Sequence, residues 1–369
     1  MMSAEKTVDL GQVQDIDVLN LSSLEERAKK VIGQGEFGYI SEGSDDEYTK
    51  KRNTSAFNDV HLVPRVLQNV EEPDQTTEFL GRKLSSPILA APIAGNTLAH
   101  ESGEMGLAKG TKEAGVMMAQ STFASKTIAE TAAVSAGAPY MFQLYMPKDW
   151  GYCKYLLDEA RNAKASAIIL TADSTLGGYR EADVLNHYHL KGKIANLDGY
   201  NTGKDGVGAG GLFAESMQSL NLDLIDKLAA YSGLPVIIKG IQHPADADAA
   251  IKAGAAGIYV SNHGGRQLDG APASIEVLPA IAKVVNHRVP VIFDSGVRRG
   301  THVLKALASG ADLVGVGRPF SYGLALGGWK GVAAVAEHLK MEINIAMQLT
   351  GSKTIEDVKN IQISHDLKF

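Results

Sequence analysis

Cysteine is nearly absent: Cys153 is the only one in 369 residues. That excludes an intramolecular disulfide and a Cys-rich zinc site. No apolar run approaches the ~18 residues that a membrane span needs. Basic residues are not in excess. Lys and Arg total 36 against 42 Asp and Glu, for a net charge of −6. They are scattered rather than massed, which argues against a nucleic-acid surface. The start, MMSAEKTVDLGQ, lacks the charged and apolar parts of a signal peptide. The end, HDLKF, is not a peroxisomal address. These absences predict a cytoplasmic protein with a reduced thiol, no membrane contact and no nucleic-acid partner.

What is present is an ordinary globular composition, 44% hydrophobic and 21% charged. The length suits one large α/β barrel with extensions, or two to three small domains. Eight short apolar runs stand out, at 87–91, 116–119, 140–144, 167–170, 236–238, 257–260, 291–293 and 313–316. None alternates cleanly, so each reads as a strand buried on both faces, as in a parallel sheet. Amphipathic stretches lie between most of them, such as Cys153, Leu156, Leu157 and Ala160 at i, i+3, i+4, i+7. Three helices are expected to end at Gly115, Gly254 and Gly310, each followed by a strand. Eight β-α units favour a closed (β/α)8 barrel over an open sheet.

Polar residues collect at the C-terminal ends of these strands, where barrel enzymes place their chemistry. Residues 1–80 precede the barrel as a helical extension, with helices expected near 23–32 and 45–53 and Ser22, Ser23 and Ser44 as caps. The barrel is expected over 81–369, the whole forming one domain. The segment 181–230 after the fourth strand is too long for a plain loop. Its Gly-rich stretch 199–211 suggests a mobile lid.

Two motifs lose to plainer readings. GVGAGG at 206–211 formally matches G-x-G-x-x-G, but no strand precedes it, so it reads as a flexible loop. His187 and His189, with Asp183 nearby, lack a third ligand at useful spacing, so no metal is expected. Two other segments are stronger. DSGVRRG at 294–300 ends the seventh strand and GVGRP at 315–319 ends the eighth. Bare backbone N–H groups and arginines at these two loops fit a phosphate. SNHGGRQ at 261–267 follows strand six and offers an imidazole and a guanidinium three residues apart. The first can take a proton near neutral pH, and the second can grip a carboxylate. Lys239 closes a buried strand and reads either as a Schiff-base nucleophile or as a fixed cation beside an electron-rich cofactor.

From about residue 17 to 351 the chain resembles the FMN-dependent L-2-hydroxy-acid oxidases and dehydrogenases, and most of all their bacterial lactate-oxidising members. The most specific marker is SNHGGRQLD at 261–269. FGYI at 37–40, APIA at 91–94, FQLY at 142–145, LTAD at 170–173, KG at 239–240, DSGVR at 294–298 and GRP at 317–319 support it. The resemblance implies that His263 is the base and that Asp173 stabilises its charged form. It implies that Arg180 and Arg266 bind the substrate carboxylate, with Tyr39 and Tyr145 hydrogen-bonding beside them. Lys239 would sit near flavin N1, which displaces the Schiff-base role. Pro92, Ile93, Ala94, Ser121, Gln143, Thr171 and Ser261 would contact the flavin ring. Asp294, Ser295, Gly296, Arg298, Gly317 and Arg318 would hold the ribityl chain and phosphate. Phe123 stands beside the substrate where the lactate-oxidising members are expected to have Tyr and plant-type glycolate-oxidising ones Trp. Phe213 is aligned with the lid's aromatic position. The implied activity is oxidation of L-lactate, or a similar short L-2-hydroxy acid, with O2 reduced to hydrogen peroxide, in a homotetramer. A quinone-linked dehydrogenase, a monooxygenase and a Schiff-base aldolase are the alternatives.

Overall fold

Runs of apolar residues too short for helices and buried on both faces become the staves of a closed sheet. A computed structural model describes residues 9–188, 194–200 and 215–364. Its barrel strands are β1 (Ile88–Ala90), β2 (Met117–Ser121), β3 (Tyr140–Leu144), β4 (Ile168–Thr171), β5 (Val236–Ile241), β6 (Gly257–Val260), β7 (Val291–Phe293) and β8 (Leu313–Val316). Each pairs in parallel with its sequence neighbour, and β8 closes onto β1. All eight coincide with the apolar runs of the sequence, and the architecture is the expected (β/α)8 barrel.

The barrel has two apolar layers. Inward-facing residues, among them Leu89, Met117, Met141, Ile169, Ile237, Tyr259, Ile292 and Leu313, fill the interior. Phe79 and Leu84, from the hairpin Thr77–Phe79/Arg82–Leu84, join that inner cluster. Alternate residues such as Ile88, Met118, Phe142 and Ile168 pack outward against the helices. Gly115, Gly254 and Gly310 all hold the positive φ expected where helices end.

The N-terminal extension departs from expectation. Its first helix is Ser23–Ala28, shorter than 23–32. Ser22 makes no side-chain cap; Asn20 Oδ1 accepts from Ser23 N instead, at 2.9 Å. A helix expected over 45–53 runs over Tyr48–Ser55, because Asp45 and Glu47 take left-handed backbone angles and delay its start. Ser44 therefore caps nothing, and among the described residues its buried hydroxyl has no hydrogen-bond partner. A further helix, Gln34–Ser41, was not expected.

After β4 the chain forms the short helices Glu181–Leu185 and Ala195–Tyr200, then the longer Asp223–Ser232. The glycine stretch 201–211, His189 and Phe213 lie outside the described residues. Among the described residues, no helix is long and apolar enough to cross a membrane.

Candidate active site

The loop after β6 is where backbone conformation is most constrained. His263, Gly264 and Gly265 take φ values of +59°, +67° and +72° in succession. Left-handed geometry is unfavourable for a residue with a Cβ, so His263 is held there by its surroundings. Its N–H donates to Ser261 Oγ at 3.0 Å, and Gly264 N–H donates to Ser295 Oγ at 3.1 Å. A Cβ on Gly265 would lie 2.5 Å from Lys50 N, so no larger residue fits.

This turn aims the His263 ring at the ends of β3, β4 and β5. Nδ1 lies 3.0 Å from Asp173 Oδ1 and 3.4 Å from Lys239 Nζ. Lys239 Nζ is 3.7 Å from Asp173 Oδ2. With a carboxylate to accept from it, Nδ1 carries the proton and Nε2 keeps its lone pair. Nε2 sits 3.3 Å from the Tyr145 hydroxyl. The imidazole is held below its usual pKa by burial first and Lys239 second, against the pull of Asp173. Burial would raise the Asp173 carboxyl, but Lys239 and His263 outweigh it and hold it low. Burial keeps the Tyr145 phenol protonated. The result is a neutral imidazole with an ionised carboxylate behind it, the arrangement of a general base.

Two guanidiniums flank the Tyr39 ring. Arg180 and Arg266 stand 5.4 and 5.1 Å from its centroid. Arg266 donates to the Glu42 carbonyl at 2.8 Å. Burial, then Arg180 and Arg318, lower its pKa to about 9, which leaves it charged at neutral pH. Arg180 is 3.8 Å from Asp183. Phe123 stacks on Tyr145 with centroids 4.5 Å apart and packs with Ile194 and Ala94.

Most of these groups surround one cavity of about 1090 Å³, including its open mouth. Tyr39, Pro92, Ile93, Ala94, Ser121, Phe123, Tyr145, Arg180, Lys239, His263 and Arg266 line it. So do Asp294, Ser295, Gly296, Arg298, Gly317 and Arg318. Four expected residues do not line it. Asp173 stands behind His263 and Lys239. Gln143 and Thr171 bond to each other at 2.8 Å, and Ser261 is engaged by His263 N–H. Sequence reasoning missed Ile40, Ala91, Ser174, Gly264, Val297 and Gly315 in the lining. Ile40, Ala91, Gly264, Val297 and Gly315 sit within motifs already recognised and Ser174 directly follows one, so adjacency was the available signal.

The donor set calls for an anion with a flat, largely apolar body. Arg298 bonds its own loop at the Val297 carbonyl, and Arg318 bonds the carbonyls of Ile40, Glu42 and Gly264. Among the described residues neither forms an ion pair. Guanidiniums at a cavity wall without a carboxylate partner suit a phosphate. Gly317 caps the helix that begins at Arg318, the first of two that meet at a kink at Gly328 within Arg318–Thr350, and the N-terminus of a helix is a second anion-binding feature. Pro92, Ile93 and Ala94 supply apolar surface in the same cavity. These residues fit FMN, with its phosphate and its tricyclic ring.

Residues 28–365 match the FMN-dependent dehydrogenase family. The chain belongs to that family. As an FMN-dependent dehydrogenase it uses FMN as its cofactor. It is 77% identical to an L-lactate oxidase of Lacticaseibacillus rhamnosus, covering 98% of this chain and 99% of that one. A crystal structure assigned as a lactate oxidase of Pediococcus acidilactici superposes with a TM-score of 0.92 at 52% identity, covering 96% and 97% of the two chains. A mandelate oxidase with (S)-2-phenylpropionate superposes at 0.87 with 33% identity, covering 94% and 99%. The FMN-dependent dehydrogenase fold thus accounts for nearly every described residue, including the extension before the barrel.

Proposed function

We propose that this chain oxidises L-lactate to pyruvate and passes the electrons to O2, giving hydrogen peroxide. The observation that carries this reading is His263 Nε2 facing a cavity that also presents Arg180, Arg266 and Tyr39. A short 2-hydroxy acid has one carboxylate and one carbinol, and the cavity offers a partner for each. The near-full-length similarity to an L-lactate oxidase supports the choice of substrate.

Arg180 and Arg266 bind the carboxylate, as charged forks do. Tyr39 and Tyr145 hold the substrate oxygens. His263 Nε2 takes the hydroxyl proton, and the resulting imidazolium is stabilised by Asp173. A positioned base of this kind is worth ~10²–10⁴-fold in rate. Bound FMN would supply the acceptor for the two electrons and the hydrogen of the carbinol C–H bond, whose loss leaves the ketone of pyruvate. Lys239 faces the cofactor's cavity as a fixed cation, and Asp173 at 3.7 Å keeps it paired. The apolar patch of Phe123, Ile194 and Ala94 receives the substrate's methyl group. Asp294, Ser295, Gly296, Gly317 and the two arginines at 298 and 318 hold the ribityl phosphate. Ser121, Gln143, Thr171 and Ser261 support the ring, the last three from behind the lining.

The same reading includes a cytoplasmic homotetramer. Its lone thiol, Cys153, is buried, as suits a reducing compartment. Met341, Ile345 and Leu349 are exposed four residues apart on one helix, an apolar stripe suited to contact between copies.

The test is an anaerobic absorption spectrum before and after adding L-lactate, followed by admission of air. The expected result is a yellow protein bleached by L- but not D-lactate, whose colour returns with stoichiometric peroxide. A protein that L-lactate leaves yellow, or that yields no peroxide on reoxidation, would overturn the reading.

A further inference from the structure

The helix Tyr48–Ser55 belongs to the extension, far in sequence from His263 and the loop that carries it. One of its side chains nevertheless reaches the base of the His263 turn. Asn53 is 1% exposed and Asn262 5%. Their amides pair reciprocally. Asn53 Nδ2 donates to Asn262 Oδ1 at 2.8 Å, and Asn262 Nδ2 donates to Asn53 Oδ1 at 2.7 Å. Asn262 Oδ1 also accepts from Gly265 N–H at 3.1 Å, and Asn262 Nδ2 also donates to the Pro272 carbonyl. The pair therefore spans the left-handed turn, with Asn262 before it and Gly265 at its end.

The orientation of the Asn262 amide decides whether this works. Its oxygen must face Gly265 N–H, and its nitrogen must face Pro272. Asn53 supplies one donor and one acceptor in the only order that permits both. Ser274 N–H donates to Asn53 Oδ1 at 3.4 Å and fixes the Asn53 amide, so Asn53 pairs with Asn262 in the same flip that Gly265 and Pro272 require. The backbone of this helix also presses on the neighbouring loop. Thr54 Oγ1 donates to the Gly296 carbonyl at 3.2 Å, and a Cβ on Gly296 would collide with the Asn53 carbonyl.

We propose that Asn53 is a positioning residue for His263: its amide fixes the Asn262 amide, and through it the turn that aims the imidazole. The inference rests on the reading of His263 as the base. A strained turn relaxes when a restraint is removed, and a misplacement of about 1 Å can cost on the order of 100-fold in rate. The groups facing His263 are Asp173, Lys239, Tyr145 and Arg266, and none of them touches Asn53.

The test combines Asn53→Ala with the near-isosteric Asn53→Asp, whose carboxylate has no donor for Asn262 Oδ1. Anaerobic bleaching by L-lactate is timed for the wild type, Asn53→Ala, His263→Ala and the double variant. Asn53→Ala is expected to slow bleaching roughly 10–100-fold in the wild-type background. In the His263→Ala background it is expected to change the rate less than about twofold, because the group it positions is gone. Asn53→Asp should behave like Asn53→Ala while retaining FMN, and it stands in if the alanine variant does not fold. Equal slowing in both backgrounds would mark Asn53 as a general structural residue and overturn the proposal. A second readout is independent of turnover: the ¹³C-histidine NMR titration of His263 in the holoprotein. Its midpoint should rise when Asn53 is replaced, since a looser turn admits water to a ring whose burial lowers its pKa. An unchanged midpoint would overturn the proposal even in a protein that L-lactate fails to bleach.

Discussion

Asp173 holds the Nδ1 side of His263 at 3.0 Å while its other oxygen lies 3.7 Å from Lys239. One carboxylate thus faces both the neutral imidazole and the ammonium, and Asp173 and Lys239 affect the imidazole in opposite directions. Asp173 raises the His263 pKa, and Lys239 lowers it.

The base works only when neutral, so kcat/KM should rise with pH and level off. Its acidic limb should lie below the ordinary histidine value. Asp173→Asn removes a raising influence, so the limb moves to lower pH. The plateau falls on the order of 10²-fold or more, since the charged imidazole loses its counter-ion. Stopped-flow bleaching across pH checks both effects.

Lys239→Met removes a lowering influence. Its acidic limb should move the opposite way, to higher pH, again with a lower plateau. A shift of the two variants in the same direction would contradict the arrangement.

Arg180→Met and Arg266→Met each remove a charge-assisted contact worth ~1.5–3 kcal/mol. That interaction exists in both ground and transition states, so the loss should appear mainly in KM, as a rise of roughly 10–100-fold. Steady-state kinetics with L-lactate measure it. Replacement by Lys should recover only part, because a point charge lacks the fork.

Arg298→Ala should weaken FMN rather than substrate. Titration of the apoprotein, followed by quenching of FMN fluorescence, should show a Kd roughly 10–100-fold higher. KM for L-lactate in the FMN-saturated protein should hardly move.

His302 predicts a pH dependence of stability. It stacks on Phe57 at 4.1 Å, and its Nδ1 accepts from Arg298 N–H at 3.3 Å. Burial, then Lys305, lower its pKa to about 4. Between about 6.5 and 4 the unfolded chain binds a proton that the folded chain refuses, so acid favours unfolding. The full effect is roughly 3 kcal/mol, present above pH 6.5 and lost as pH falls toward 4. Thermal midpoints from pH 7 to 4 should fall less steeply in His302→Gln than in the wild type.

The strands were legible because burial on both faces writes an uninterrupted apolar run, and their polar ends mark the catalytic rim. His263, Arg266, Arg298 and Arg318 were legible for that reason, since each follows a strand directly. Tyr39 came only from the family resemblance. Its helix Gln34–Ser41 carries two internal glycines and almost no apolar periodicity, so pattern alone passes over it. The layer behind the lining was harder still. That Gln143 and Thr171 bond each other rather than line the cavity follows from the register of β3 and β4. Asn53 left no signal, because its partner is 209 residues away and the two meet only in the folded chain.

The wedge of Tyr48–Ser55 against Gly265 and Gly296 bears on how far this enzyme can be miniaturised. A version cut back to the eight-stranded body would lose Tyr39 and the support beneath two glycine turns at one stroke. Any shortened version must therefore keep residues 34–55 joined to the barrel, along with the hairpin Thr77–Phe79/Arg82–Leu84, whose Phe79 and Leu84 pack into its interior.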